Sequence, residues 1–252
     1  MIDWLRRLDG RDAAEANLFC FSHAGGTAAN FRLWPAGLPP RLAVWGIQLP
    51  GRPGRLQEAP IDSIPALVAA VVDAVSPHLD KPFALFGHSM GAVLAFETAS
   101  ALARRGAPLP EHLVVSSRRP PHLPGTEPDM HRLNDADFAA EINRRYGGIP
   151  PELLQDREVM ALLLPGLRAD ITALETHRPL HARPLALPIT ACGGTEDRLT
   201  TRADIAAWGA LTTGPFHMRM FPGGHFYLEP QRALLLDHLS VALAPMLRRA
   251  AA

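Results

Sequence analysis

Six short apolar runs, each closed off by Gly, Pro or Ser and separated by stretches of helical periodicity, constrain this chain more than any other feature. They are NLFCFS (17 to 22), LAVWGIQ (42 to 48), PFALFG (82 to 87), HLVVSS (112 to 117), LPITACG (187 to 193) and FHMRMF (216 to 221). Rich in Val, Ile and Phe and too short for helices, each predicts a strand. Between them, residues 64 to 79 place Ile64, Leu67, Val68, Val71, Val72 and Val75 on one helical face, and residues 90 to 104 form a small-residue apolar helix. Near the end, Pro230 stands where a first helical turn tolerates it, and Leu235, Leu239, Leu243 and Met246 recur at helical spacing. Such an alternation buries its apolar surface as a mostly parallel sheet with helices on both faces, an α/β fold. At 252 residues the chain suits one such domain, 1–252, better than two independent ones.

One region interrupts the alternation. Between about 125 and 182 no strand is evident, whereas NDADFAAEINRRY (134 to 146) reads as a helix with Asn134 as N-cap and Asp137 near the positive end of the helix dipole. A second helical stretch runs from about Glu152 to Thr176, and Pro165 is expected to break or kink it. The segment 125–182 is therefore expected to form a helical lid over one edge of the sheet, loosened by Gly147, Gly148, Pro150, Pro151 and Pro165.

Charge and composition remove several function classes. The 25 basic and 25 acidic residues give no net field for nucleic acid or an anionic membrane. Of the basic residues 24 are Arg and one is Lys81, the mark of a coding bias more than of dedicated phosphate sites. No run approaches the ~18 apolar residues of a membrane span, and MIDWLRRLDG has the character of neither a signal nor a transit peptide. Cys20 and Cys192, far apart and each within an apolar segment, are expected to be reduced, buried thiols in a cytoplasmic protein.

Against this frame GHSMG (87 to 91) gains meaning, because a strand precedes it and a helix follows. In that setting G-x-S-x-G is a turn so tight that the positions two residues either side of the serine, Gly87 and Gly91, must lack bulky side chains, and the serine is held out at the strand's C-terminal end. Ser89 needs a base, and the base needs a carboxylate to fix its tautomer. His225, in FPGGHFYLEP between the last strand and the last helix, is the candidate base; His217 lies in a strand and His238 on the final helix. LPITACGGTEDRLT offers Asp197 as the carboxylate, with Glu196 beside it as the alternative. Asp129, Asp135, Asp137, Asp156 and Asp170 fall in the lid, where a triad acid is not expected. Donors for a tetrahedral oxyanion are expected from the backbone N–H of Met90 and from FSHAGGTAANF, where the Ala24 N–H is the candidate. His23 and His88 are then loop-bracing residues. His177 and His181 have metal-pair spacing, but Pro179 between them spoils it and no metal site is expected.

SHAGGTAANF, QLPGR, PFALFGHSMGAVLAFE, VSSRRPPH, RYGGIPPELLQDREVMALLLPGLRADITALE, GGTED and FPGGHFYL, in this order from about residue 15 to 245, resemble the type II thioesterases that accompany polyketide and nonribosomal peptide synthases. The resemblance implies an α/β-hydrolase fold with a helical lid. It implies hydrolysis of acyl or aminoacyl thioesters from the phosphopantetheine arm of acyl or peptidyl carrier proteins, with no cofactor of the enzyme's own. By position it makes Ser89 the nucleophile, His225 the base, Asp197 its orienter, and the Ala24 and Met90 amides the oxyanion hole. The sequence departs from the family at SSRRPP, where SGRRAP is commoner, and at THRPL, where an aromatic after Arg is usual. Carrier domains in such systems are usually acidic, so Arg52, Arg118 and Arg119 are expected around the cleft mouth. A carboxylester hydrolase or lipase would use every one of these residues, as would a product-releasing, cyclising thioesterase; a start at Met1 with no carrier domain before it favours the discrete hydrolytic form. A catalytically silent binding module on the same fold is the remaining alternative.

Overall fold

The computed structural model describes residues 4–10, 13–123, 129–147, 156–178 and 183–250. Seven strands form one sheet: β1 (Leu5–Arg7), β2 (Ala16–Phe21), β3 (Leu42–Ile47), β4 (Phe83–His88), β5 (His112–Ser116), β6 (Ile189–Gly194) and β7 (Phe216–Phe221). Their order across the sheet is β1-β3-β2-β4-β5-β6-β7. All pairs are parallel except β1 with β3. Six strands lie where the apolar runs predict them. β1 escapes the pattern because it is three residues long and carries Arg6 and Arg7, charges that suit an exposed edge and discourage further pairing.

The continuous apolar character of the strands follows from burial on both faces. In β2, Phe19 and Phe21 pack into one core while Leu18 and Cys20 pack into the other, the alternation that a period of two dictates. The first core is closed by α1 (Ile64–Val75) and α2 (Met90–Arg104), with Val71, Val72, Phe96 and Leu102 inside it. The second lies beneath the C-terminal helix, Arg232–Arg249, through Leu235, Leu239, Leu243 and Met246. Each fully buried side chain of this size contributes roughly 1.5–3 kcal/mol. Cys20 and Cys192 are free and buried. The helix predicted over 64 to 79 is α-helical only to Val75 and then tightens into a 3-10 turn at Ser76–His78. Pro230 lies just ahead of the last helix and not in its first turn.

Between β5 and β6 come α3 (Asp135–Tyr146) and α4 (Arg157–Thr176). Asn134 caps α3, accepting from the Asp137 N–H at 3.0 Å, and Gly147 ends it in the left-handed region at φ 61°. Asp156 caps α4 by accepting from Glu158 and Val159 amides. Of the expected break or kink at Pro165, the break does not occur: α4 runs on through it. Met160, Leu164 and Ile171 pack with Phe138 and Ile142 of α3 on either side of the proline, and that packing offsets the one backbone bond proline cannot make. Further along are the short α5 (Arg202–Ala206) and α6, the C-terminal helix Arg232–Arg249 already described. Among the described residues no helix is long and apolar enough to cross a membrane.

Candidate active site

β4 ends at His88 and α2 begins at Met90, so Ser89 alone makes the turn between them. It does so at φ 54° and ψ −116°, a region in which a side chain is strained by roughly 1–3 kcal/mol. The glycines are required by contact. A Cβ on Gly87 would sit 2.1 Å from the Gly91 carbonyl oxygen, and one on Gly91 would sit 2.1 Å from that of Phe21. The Ser89 N–H donates to the Ser116 carbonyl at 2.8 Å, which ties the elbow to β5.

The other two groups arrive on loops at the same end of the sheet. Asp197 follows β6, and His225 follows β7 after Pro222, Gly223 and Gly224. The loops are pressed together: a Cβ on Gly194 would lie 2.3 Å from the Gly224 carbonyl oxygen, and the Glu196 N–H donates to the Gly223 carbonyl at 2.9 Å. His225 Nδ1 donates to Asp197 Oδ2 at 2.9 Å, and Ser89 Oγ donates to His225 Nε2 at 3.0 Å. These directions are forced, because an ionised carboxylate only accepts and so fixes the imidazole tautomer. Asp197 Oδ1 accepts the Leu199 N–H at 2.9 Å, and the carboxylate is fully buried. Burial opposes its charge, but the His225 hydrogen bond, the imidazole's field, the Leu199 amide and the Ser117 hydroxyl together hold its pKa below the ordinary carboxylate range. Glu196 is exposed.

Of the expected amides, Met90 N–H belongs to the first residue of α2 and has no acceptor within that helix. Ala24 follows β2 and shares with Ser89 and His225 a cavity of about 180 Å³, walled by Ile142, Tyr146, Met160 and Leu167 of α3 and α4. His23 lines it, and His88 is buried behind it with its ring 5.3 Å from that of His225. Burial, with the nearby His225 and Arg52, pushes His23 down to about 4, and burial pushes His88 well below its ordinary value. Both are neutral at neutral pH. His88 Nδ1 lies 2.9 Å from Ser116 Oγ, which lies 2.8 Å from the Tyr227 hydroxyl. This buried chain under the elbow has no signature in the sequence.

Arg52 corrects an expectation. Its guanidinium is buried and paired with Asp170 of α4, not turned outward. Asp170 also accepts the Gly25 N–H at 2.7 Å. The signal for it was present: on α4 it shares a helical stripe with Leu163, Leu167, Ile171 and Leu174, an acid among apolar positions. Arg119 reaches Asp204 at 3.4 Å and is largely buried. His177 Nε2 pairs with Glu97 at 3.1 Å, and His181 lies outside the described residues. Among the described residues no group of three or more His, Cys, Asp or Glu could hold a metal ion.

Comparison with known proteins bears on what this geometry is for. The family profile described as Thioesterase domain matches residues 16–242. The chain belongs to the thioesterase family. Among curated relatives, the gramicidin S biosynthesis protein GrsT of Aneurinibacillus migulanus is 37% identical over 246 residues, covering 96% of each chain. Among solved structures, the type II thioesterase BorB from the borrelidin biosynthetic cluster superposes with a TM-score of 0.86 at 36% identity, covering 95% of this chain and 97% of its own. YbtT, the type II thioesterase from the yersiniabactin NRPS/PKS pathway, gives 0.86 at 31% identity, over 96% and 99%. The sheet, the elbow and the covering helices of this thioesterase are thus those of an α/β-hydrolase.

Proposed function

We propose that this thioesterase is a stand-alone, type II enzyme that hydrolyses acyl or aminoacyl thioesters from the phosphopantetheine arm of carrier proteins, clearing unproductive chains in polyketide or nonribosomal peptide assembly. One observation carries the reading: the hydrogen-bonded chain from Ser89 through His225 to Asp197, opening into a cavity with apolar walls. The likeness to BorB and YbtT supports the substrate class.

In this reading the thioester carbonyl enters the cavity with its oxygen towards the Ala24 and Met90 amides. Ser89 Oγ attacks the carbonyl carbon as His225 Nε2 takes its proton, and Asp197 stabilises the imidazolium. The two amides hold the oxyanion, each worth about 2.7–4 kcal/mol of barrier. The tetrahedral adduct collapses, the C–S bond breaks, and the pantetheine sulfur takes the proton from Nε2. Water then gives a proton to His225 and attacks the acyl-serine. Collapse of the second adduct frees the carboxylic acid and returns the proton to Ser89. No cofactor enters these steps. The segment 125–182 acts as a lid within the single domain 1–252, with α3 and α4 forming the cavity wall, and the reduced thiols accord with a cytoplasmic site of action alongside the carriers.

The test is turnover of carrier proteins loaded with acetyl, propionyl, aminoacyl and long-chain groups, beside oxygen esters of the same acids. Carrier thioesters are expected to be preferred, and Ser89→Ala is expected to lower their turnover by about 10⁶ without loss of fold. Wild-type rates from Ser89→Ala, or a preference for oxygen esters, overturn the reading.

A further inference from the structure

The loop that carries Ala24 is a four-residue turn, His23 to Gly26, closed by the Gly26 N–H donating to the His23 carbonyl at 2.9 Å. Gly25 occupies its third position at φ 75°, the pattern of a type II turn, in which that position favours glycine. Such a turn has a central peptide that can flip, and nothing in its own sequence prevents it. What restrains it comes from elsewhere in the chain. The Gly25 N–H donates to Asp170 Oδ2 at 2.7 Å, and the neighbouring Gly26 carbonyl accepts from Arg52 Nε at 3.3 Å. Asp170 and Arg52 are themselves ion-paired, and their side chains are 2% and 3% exposed, so water does not compete for either bond. Asp170 stands on α4, which forms one wall of the cavity. An independent contact presses the same helix onto the same place: a Cβ on Gly166 would lie 2.6 Å from Arg52 Nη1 and 2.8 Å from the Gly51 carbonyl oxygen.

We propose that Asp170, with Arg52, is a positioning residue for acyl transfer: by holding the Gly25 N–H, and through Arg52 the Gly26 carbonyl, it fixes the turn that carries the Ala24 amide in register with Ser89, and so makes the oxyanion site dependent on the seating of α4. The proposal rests on the assignment of Ala24 as an oxyanion donor. A buried ion pair contributes little net stability against an apolar substitute, so the pair's value lies in orientation. A clamp of this kind is felt when charge develops on the carbonyl oxygen and not when substrate merely binds.

The decisive variants are Asp170→Asn and the double variant Asp170→Asn with Arg52→Gln; the second avoids a buried guanidinium without its counter-charge, which threatens folding. With an acyl-carrier thioester, kcat is expected to fall at least about tenfold, short of the ~10²–10³ of a lost oxyanion donor, with KM changed less than about twofold. A trifluoromethyl ketone analogue, which adds to Ser89 as an oxyanion, is expected to lose affinity in parallel, while the matching thioether keeps its own. Equal loss for both probes, or an unchanged kcat, overturns the proposal. Hydrogen exchange on the wild-type chain needs no variant. The Gly25 amide is expected to exchange within about threefold of the amides around Asp170, since both need α4 to lift; Gly25 exchanging freely under a protected α4 also overturns it. Ser89→Ala, assayed beside these, separates the two readings. If it retains activity the catalytic assignment falls, whereas if it is inactive and the Asp170 variants are wild-type, only the clamp falls.

Discussion

Asp197 and Glu196 are adjacent carboxylates, of which the sequence favours Asp197 with Glu196 as the alternative, and their environments separate them. Glu196 is exposed with its backbone bound to Gly223, whereas the Asp197 side chain is buried and accepts from His225 and Leu199. In the proposed mechanism a carboxylate there holds His225 with Nε2 free to receive the Ser89 proton, so changing it to an amide of the same shape attacks the tautomer and leaves the packing alone. Asp197→Asn is accordingly expected to lower kcat by up to about 10⁴, the loss in the serine-triad template, while Glu196→Gln changes it little. Asp197 also has a stability signature. Its folded pKa lies below the ordinary value of 3.8, so the folded state releases this proton more readily than the unfolded chain does. The contribution is complete above that value and is lost only as pH falls through the lowered folded pKa. The stability difference between wild type and Asp197→Asn, read from urea midpoints, should be flat above about pH 4 and shrink below it.

At the level of elements, the elbow works because α2 lies directly on β2, and Gly91 is where they touch. A Cβ there would meet the Phe21 carbonyl oxygen at 2.1 Å and that of Ser22 at 2.6 Å. Both are backbone atoms and cannot rotate aside. Gly91→Ala must therefore lift the start of α2, taking Met90 and Ser89 with it, at an expected cost of about 3 kcal/mol or more and most of the activity. Gly106, after α2, has open space around it and φ 64°. Gly106→Ala should cost only about 1 kcal/mol of left-handed strain, with activity intact. Urea midpoints and thioester turnover on the two variants make the comparison. The same contacts explain what was legible beforehand. Strands buried on both faces write themselves as continuous apolar runs, and G-x-S-x-G between a strand and a helix names its own geometry. β1 was not legible, because an edge strand of three residues with two arginines has neither run nor alternation. The passage of α4 through Pro165 depends on side chains of α3, a tertiary effect that outweighs local propensity. The burial of Arg52 depends on Asp170, 118 positions away in the chain, and a surface arginine was the natural expectation for an unpartnered QLPGR segment.

Over the whole molecule, equal numbers of acidic and basic residues hide an imbalance in how the fold treats its histidines. His23 and His112 are pushed down to about 4 and His88 well below its ordinary value, in each case chiefly by burial. They stand in the loop after β2, at the start of β5 and at the elbow, so their neutrality is spread around the candidate site. The sign of the linkage follows directly. A histidine whose folded pKa is lowered stays neutral in the fold while the unfolded chain takes up its proton near 6.5, so unfolding binds protons and stability rises with pH across that window. Each such ring contributes up to about 1.4 kcal/mol per pH unit between about 6.5 and 4. The lowered carboxylates act in the same direction but only below about 4, while Asp170, whose pKa burial raises, opposes the histidines just above it; the three histidines outnumber it there. Urea unfolding at about pH 7.5 and about pH 5 should therefore find the fold several kcal/mol less stable at the lower value. His112 allows the source to be checked away from the site, since its Nε2 meets only Thr190 Oγ1 at 2.8 Å in the hydrogen bonds it makes. His112→Gln keeps a polar group for Thr190 and removes the titrating ring. The slope of stability against pH should drop by about one proton's worth, ~1.4 kcal/mol per unit, even if stability at neutral pH also falls. A variant whose slope equals that of the wild type would show that protons taken up elsewhere set the acid limit.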